Sequence, residues 1–485
     1  MPRDEIAASH ERARYSVTPM NGFYKRINAQ ASSNRTRSAI LRIQMLHTRV
    51  TTPSALGLRK PIVWMLIVTL VTVYGLVAGM VRAASSGSTA PFDAVGRLLD
   101  DPRVNAARQQ LRRAEPATIE TQVSLCEIAS PPFREEARGR AVAALFTAAG
   151  LSRVRVDPVG NVLGELAAHG AGPHVVISAH LDTVFPPGTD VAVRRQGDTL
   201  RGPGIGDDCR GLAVLVALAR VAGAGLVTTD GPVTFVATVG EEGLGDLRGV
   251  RYLFDHMDGI GRFISLDGGG LSVVSKAVGS LRYKVTFSGP GGHSYGSFGM
   301  ANPIHAMGRA IDAISEFRVP TDPRTTFNVG RVGGGTSVNA IAAQAWMEVD
   351  LRSSDGRALN ELDRRFHAAV DKAVADENQR WGGRSPVSAT VERTGARPTG
   401  RTPDSDPLVM STLALTQALG ESVTLAEGST DSNVAMSRGI PAVTLGAGGI
   451  SRGAHSPDES FTTTGSAIGT ERALLVLLAA ASGTP

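Results

Sequence analysis

Residues 175–184 read VVISAHLDTV. The run from Val175 to Ala179 is short and continuous, and it ends directly on His180 and Asp182. A strand buried on both faces has this signature, whereas a strand with one wet face alternates apolar and polar residues. Three further runs share it, Val233 to Val239, Phe263 to Leu266 and Ala442 to Leu445, each bounded by Gly or Pro. Helical stretches lie between them, among them Leu212 to Ala222 and Pro407 to Leu419. Strands that alternate with helices in this way predict an α/β sandwich.

Polar residues gather where the runs end. His180 and Asp182 follow the first, Glu241 and Glu242 the second and Asp267 the third, with His455 beyond the fourth. Asp207 and Asp208 stand just before the helix at Leu212. The carboxyl ends of strands line the ligand crevice of an open α/β sheet, so these distant residues can converge. Two imidazoles among several carboxylates suit zinc, manganese or cobalt. Taken singly, Asp207 or Asp208 reads as a helix N-cap and Glu241-Glu242 as a solvated charge pair. Acids at the inner ends of buried strands are costly unless paired or metal-bound, and that placement favours the joint reading.

The middle of the chain differs in character. Leu281 to Ser288 (LRYKVTFS) alternates apolar and polar residues, as do Phe327 to Val332 and Ala345 to Leu351. Helices are expected at about Asn302 to Phe317 and Leu359 to Asn378. Residues 280–390 therefore read as an α+β unit on an antiparallel sheet, inserted into a domain formed by 93–279 and 391–483. Before that domain, Phe92 to Gly150 reads as helix, closed by Gly150 as a C-cap.

The 485 residues are 42% hydrophobic and 20% charged, the profile of a globular chain. Residues 1–60 hold eleven Lys or Arg against three Asp or Glu, or +8, so the remainder carries −3 of the total +5. The basic pI of 9.4 belongs to this tail, which is expected to be disordered, and no nucleic-acid partner is expected. The low aromatic content, 5%, likewise argues against base-stacking surfaces. Residues 61–81 (PIVWMLIVTLVTVYGLVAGMV) form an uncharged segment behind Arg59 and Lys60. At 1.5 Å per helical residue it spans about 31 Å, enough to cross a bilayer. Small residues after Val81 also fit a signal-peptide cleavage site, so anchor and cleaved signal stay open. Either places the rest of the chain outside the cytoplasm, periplasmic or secreted, with membrane contact through 61–81 if that segment is retained.

Five ordered motifs make the chemistry specific: SAHLDTV at 178–184, GPGIGDDCRGLA at 202–213, TVGEEGLGDLRG at 238–249, GGHS at 291–294 and AHSPDE at 454–459. Over about residues 93–480 the chain resembles the M20 family of dinuclear metallopeptidases and deacylases. The resemblance implies a zinc-peptidase-like α/β catalytic domain with an inserted α+β lid that dimerises, here preceded by one N-terminal hydrophobic helix. It implies two divalent metal ions per chain, Zn or else Co or Mn, bridged by Asp207. His180 and Asp267 would complete one coordination sphere, Glu242 and His455 the other. Asp182 would orient His180, and Glu241 would take a proton from the attacking water. His293 would reach into the partner subunit's site to stabilise the oxyanion, and Asn339 and Arg352 would hold the substrate. The substrate is a small peptide or, by the same chemistry, an N-acyl amino acid. Where many members carry Lys, this chain has Cys209. With no His beside it and a complete carboxylate set, it reads as a packed thiol.

A serine hydrolase is the competing enzyme. Gly292-His293-Ser294-Tyr295-Gly296 satisfies GxSxG, and Asp431 and His455 follow in the order Ser, Asp, His. That elbow requires a buried strand leading straight into a helix, and the strand before Ser294 alternates. A non-catalytic binding module would have lost a base or ligand, and none is missing.

Overall fold

A computed structural model describes residues 90–483, so the basic tail 1–60 and the expected hydrophobic helix 61–81 lie outside the described residues. Among the described residues no helix is long and apolar enough to cross a membrane. The four apolar runs are four neighbouring parallel strands, Val233–Thr238, His174–His180, Ile260–Leu266 and Ala442–Leu445, in that spatial order. Both faces are covered. Val175 and Ile177 join one core with Leu212, Leu215 and Leu475, while Val176 joins the other with Val236, Leu253 and Phe263. Helices Pro102–Cys126, Cys209–Gly223 and Ser466–Ala480 supply the first core, and Arg248–His256 the second. Burying each large aliphatic side chain contributes roughly 1.5 to 3 kcal/mol, so a slip that expelled Val175 and drew His180 inward would be strongly resisted. Parallel alignment sets the carboxyl ends of all four strands along one edge.

The segment expected as helix from residue 92 to 150 is three helices, Ala90–Asp100, Pro102–Cys126 and Glu136–Ala148. Asp101 starts the second, its Oδ1 accepting the N–H of Arg103 at 2.7 Å, with Pro102 in the first helical turn. Gly150 follows the third at φ +84°, a left-handed position that glycine adopts without strain.

The middle of the chain forms a separate four-stranded antiparallel sheet, ordered Thr325–Gly334, Gln344–Ser353, Gly279–Ser288 and Ser388–Arg397. Helices Pro303–Ser315 and Gly356–Arg380 cover one face, burying Val285, Phe287, Met347, Ile314 and Phe366 in a core of their own. The fourth strand carries the pairing on to Arg397, opposite Ser280, past the expected edge at residue 390. Its alternation breaks at a register shift between Arg393 and Gly395, which hides the strand from a period-two reading.

Cys126 and Cys209 form a buried disulfide, with Cα atoms 5.4 Å apart. Cys209 is therefore not the packed free thiol expected from sequence. The end of one helix meets the start of another 83 residues later, a proximity that no local pattern encodes. Protein denatured without reductant should show no free thiol, and Cys126→Ser should lower the free energy of unfolding in urea by about 2 to 4 kcal/mol. Two titratable thiols per denatured chain would overturn the bridge.

Candidate metal centre

The His174–His180 strand ends on His180, whose Nε2 lies 3.1 Å from Asp207 Oδ1. On the other side of Asp207, its Oδ2 lies 3.2 Å from His455 Nε2, which also meets Glu242 Oε1 at 2.9 Å. His180, Asp207 and Glu242 offer ligand atoms that all lie within 4.8 Å of one another. His455 does not arrive from the fourth parallel strand directly. It sits between the short strands Ile450–Arg452 and Ser460–Thr462, and the latter pairs with Thr199–Arg201, just ahead of the GPGIGDD loop. That pairing draws His455 to Asp207.

The two adjacent aspartates have different partners. Asp208 is the helix N-cap: its Oδ1 accepts the N–H of Gly211 at 3.0 Å and of Gly268 at 3.3 Å, and its Oδ2 accepts the N–H of His180 at 3.0 Å. Asp207 faces the imidazoles. Asp182 accepts the N–H groups of Glu241 at 3.0 Å and Glu242 at 2.8 Å, and its Oδ1 lies 3.7 Å from His180 Nδ1. The two glutamates also diverge. Glu242 meets His455, whereas Glu241 Oε1 accepts from Arg397 Nη1 at 2.9 Å, and a second Arg397 nitrogen donates to the Glu241 carbonyl. Arg397 ends the lid's fourth strand, and nothing in the sequence singled it out.

Charge in this pocket is strongly unbalanced. Burial opposes ionisation of Asp207, yet its hydrogen bonds with His180 and His455 prevail and hold it well below the usual carboxylate range. Burial and repulsion from Asp207 push Asp267 well up. Glu241 is pushed up to about 8 by burial, with Arg397 pulling back and Glu242 pushing further. Hydrogen bonds with Asp207 and Glu242 raise His455 to about 10. Burial disfavours the His180 cation, but Asp182 and Asp207 outweigh it and raise that imidazole too. The acids of this pocket raise both of its imidazoles, those of His180 and His455. Borderline divalent cations such as zinc fit such a set of carboxylates and imidazoles.

His293 and Asn339 lie on the lid, side by side through the short ladder that pairs His293 with Ala340. Both are exposed. His293 Nδ1 accepts the N–H of Tyr295 and of Gly296, each at 3.2 Å, which leaves the ring proton on Nε2. Arg352, half-buried on the lid sheet, pairs with Asp350 at 2.6 Å. Asp350 lies 3.4 Å from Arg282, which in turn donates to the carbonyl of Gly243 beside Glu242. The competing triad is not assembled, because His455 pairs with Asp207 and Glu242 while Asp431 accepts from Thr238 at 2.6 Å.

Comparison with known proteins bears on the fold and the class of reaction. The peptidase dimerisation domain family matches residues 276–378, and peptidase family M28 matches residues 161–294. A succinyl-diaminopimelate desuccinylase from Corynebacterium glutamicum is 28% identical over 347 residues, 69% of this chain and 89% of the relative. An acetylornithine deacetylase from Edwardsiella ictaluri is 26% identical over 332 residues, 64% of this chain and 82% of the relative. The chain is an M20-like hydrolase. Among solved structures the M20-like fold recurs in aminopeptidase PepT from Bacillus cereus, with a TM-score of 0.62 and 20% identity over 76% of this chain and 99% of that one. It recurs again in a dinuclear metal-binding M20 peptidase from Bacillus subtilis, with a TM-score of 0.56 and 16% identity over 76% and 98% of the two chains.

Proposed function

We propose that this M20-like hydrolase cleaves an amide or peptide bond in a small peptide at a dinuclear metal centre, with Glu241 as general base. The observation that carries the reading is the divergence of two adjacent acids. Glu242 joins the imidazole and carboxylate cluster, and Glu241 stays outside it, held by Arg397. Asp207 would bridge the two ions, with His180 and Asp267 on one and Glu242 and His455 on the other. Zinc is the expected metal, with cobalt or manganese as substitutes. When bound, the ions supply Lewis-acid polarisation of the scissile carbonyl and acidify water. Asp182 holds the His180 ring and the backbone of both glutamates in place. Glu241 takes the proton of the attacking water and hands it to the leaving amine.

The catalytic part expected at 93–279 and 391–483 gives up 391–397 to the dimerising lid, expected at 280–390 but running on to Arg397. A homodimer through the lid would bring His293 of the partner subunit to the reacting carbonyl, where its Nε2–H can donate to the developing oxyanion. Asn339 and Arg352 would bind the substrate and its carboxylate. Deacylation of an N-acyl amino acid is the second reading, favoured by relatives named as a deacetylase and a desuccinylase. Hydrolysis of peptides and N-acyl amino acids compared side by side decides between the two, and failure on both classes would remove the amide-bond reading. A location outside the cytoplasm is proposed from the apolar segment 61–81, as anchor or signal, and the Cys126–Cys209 bridge supports it because disulfides persist in oxidising compartments.

Glu241→Gln should reduce kcat by about 10² to 10⁴ with metal content intact, whereas Glu242→Gln should lose metal. A metal-depleted Glu241→Gln protein would mean that the two glutamates have exchanged roles. Mixed His293→Ala and Glu241→Gln subunits should regain part of the activity through hybrid dimers. No recovery after verified subunit exchange would count against action across the dimer. A fusion of residues 1–92 to a reporter active only outside the cytoplasm should give signal, and reporter trapped inside would overturn the export reading.

A further inference from the structure

Glu459, the last residue of AHSPDE, has no role in the chemistry above, yet it is fully buried. Its Oε1 accepts the N–H of Gly206 at 2.7 Å and of Asp207 at 2.9 Å, and its Oε2 accepts the N–H of Gly204 at 3.0 Å. Its own carbonyl accepts the N–H of Gly202 at 3.0 Å. The carboxylate thus fills the concavity of the loop that carries Asp207, a ring of converging backbone donors of the kind that binds anions. Four residues earlier in the same hairpin stands His455, whose Nε2 reaches Asp207 Oδ2. The hairpin therefore grips Asp207 twice, by its main chain through Glu459 and by its side chain through His455.

The fit is tight from the loop side as well. A Cβ on Gly206 would lie 2.1 Å from Ser451 Oγ and 3.1 Å from Glu459 Oε1, so loop and hairpin meet with no room for a side chain. The site also requires an acceptor on both oxygens. A carboxamide in place of the carboxylate would turn its NH₂ toward at least one of the three N–H donors.

We propose that Glu459 is a positioning residue of the metal centre. It fixes the main chain of Asp207 relative to the hairpin, so that the Asp207 carboxylate and the His455 imidazole stand at ligand spacing. This assignment rests on the reading of Asp207 and His455 as metal ligands. Groups that orient metal ligands from behind typically control about 10- to 100-fold in metal affinity.

The test is Co²⁺ titration of purified metal-free protein, followed by calorimetry and by visible d–d absorption, with urea unfolding of the same samples. Glu459→Gln should lose about 10- to 100-fold in Co²⁺ affinity and show an altered d–d spectrum, while the folded far-UV signal is kept. Gly206→Ala, which presses on the same contact from the other side, should shift affinity in the same direction. Wild-type Co²⁺ affinity and spectrum in a folded Glu459→Gln protein would overturn the proposal. So would failure of both variants to fold, since Glu459 would then be a determinant of the fold alone. Asp207→Ala and His455→Ala keep the underlying reading separate. Undiminished Co²⁺ binding in those two would sink the ligand assignment itself, whereas their loss of metal beside a normal Glu459→Gln would sink only the positioning role.

Discussion

Backbone N–H groups hold the buried carboxylates that surround this site. Asp182 takes two from Glu241 and Glu242, Asp208 takes those of His180, Gly211 and Gly268, and Glu459 takes three from the loop at 204–207. Glu135 takes that of Gly240 at 3.1 Å and pairs with Arg248. Hydrogen bonds to a charged group contribute about 1.5 to 3 kcal/mol each, and a buried carboxylate without partners costs several kcal/mol, so these acids are stable only because the strand ends and loops point donors at them. The same rule sorts the remaining acids. Asp207 and Glu242 meet imidazoles instead.

Several donors that satisfy the scaffold acids are the amides of the residues in the imidazole and carboxylate cluster. Asp208 binds the N–H of His180 itself, and Asp182 binds those of both glutamates. Asp208 and Asp182 therefore fix His180, Glu241 and Glu242 by their main chains, and the side chains of those three residues take other partners. Arg138 works in the same way with opposite charge. Buried among carbonyls, it donates to Leu181 at 2.8 Å and Ile128 at 2.7 Å, beside Asp182 and Asp208. Side chains held from the backbone side in this way need little reorganisation to keep their positions.

Much of this was legible in the sequence because it is local. A run of β-branched and apolar residues that stops at a polar residue declares both a buried strand and its functional end, and four such runs put His180, Glu241, Glu242 and Asp267 on one edge. The split between Asp207 and Asp208 was half visible, since one of two aspartates before a helix is expected to cap it, but only the three-dimensional position of His180 and His455 decides which. Arg397 was not legible: it ends a bulged strand in the other sheet and meets Glu241 across 156 residues. Glu459 stood in a quoted motif, yet its partners lie more than 250 positions away. The disulfide shows the same limit. Two cysteines without a spacing pattern carry no signal until two helices bring them together.

Arg397 also ties the two sheets together at Glu241. It leaves the lid sheet in register with Ser280, and Arg282 from the neighbouring strand grips the carbonyl of Gly243, so both arginines hold the Glu241-Glu242-Gly243 turn from the lid side. Asp182 holds that turn from the catalytic side. Burial alone would favour the neutral form of Glu241, because its charged form is disfavoured where water is excluded. The guanidinium restores part of that charge without competing for the ligand cluster, since it bonds to Glu241 and not to Glu242. The two adjacent acids are therefore separated by which part of the chain supplies their partner: the second sheet gives Glu241 an arginine, and the hairpin gives Glu242 a histidine.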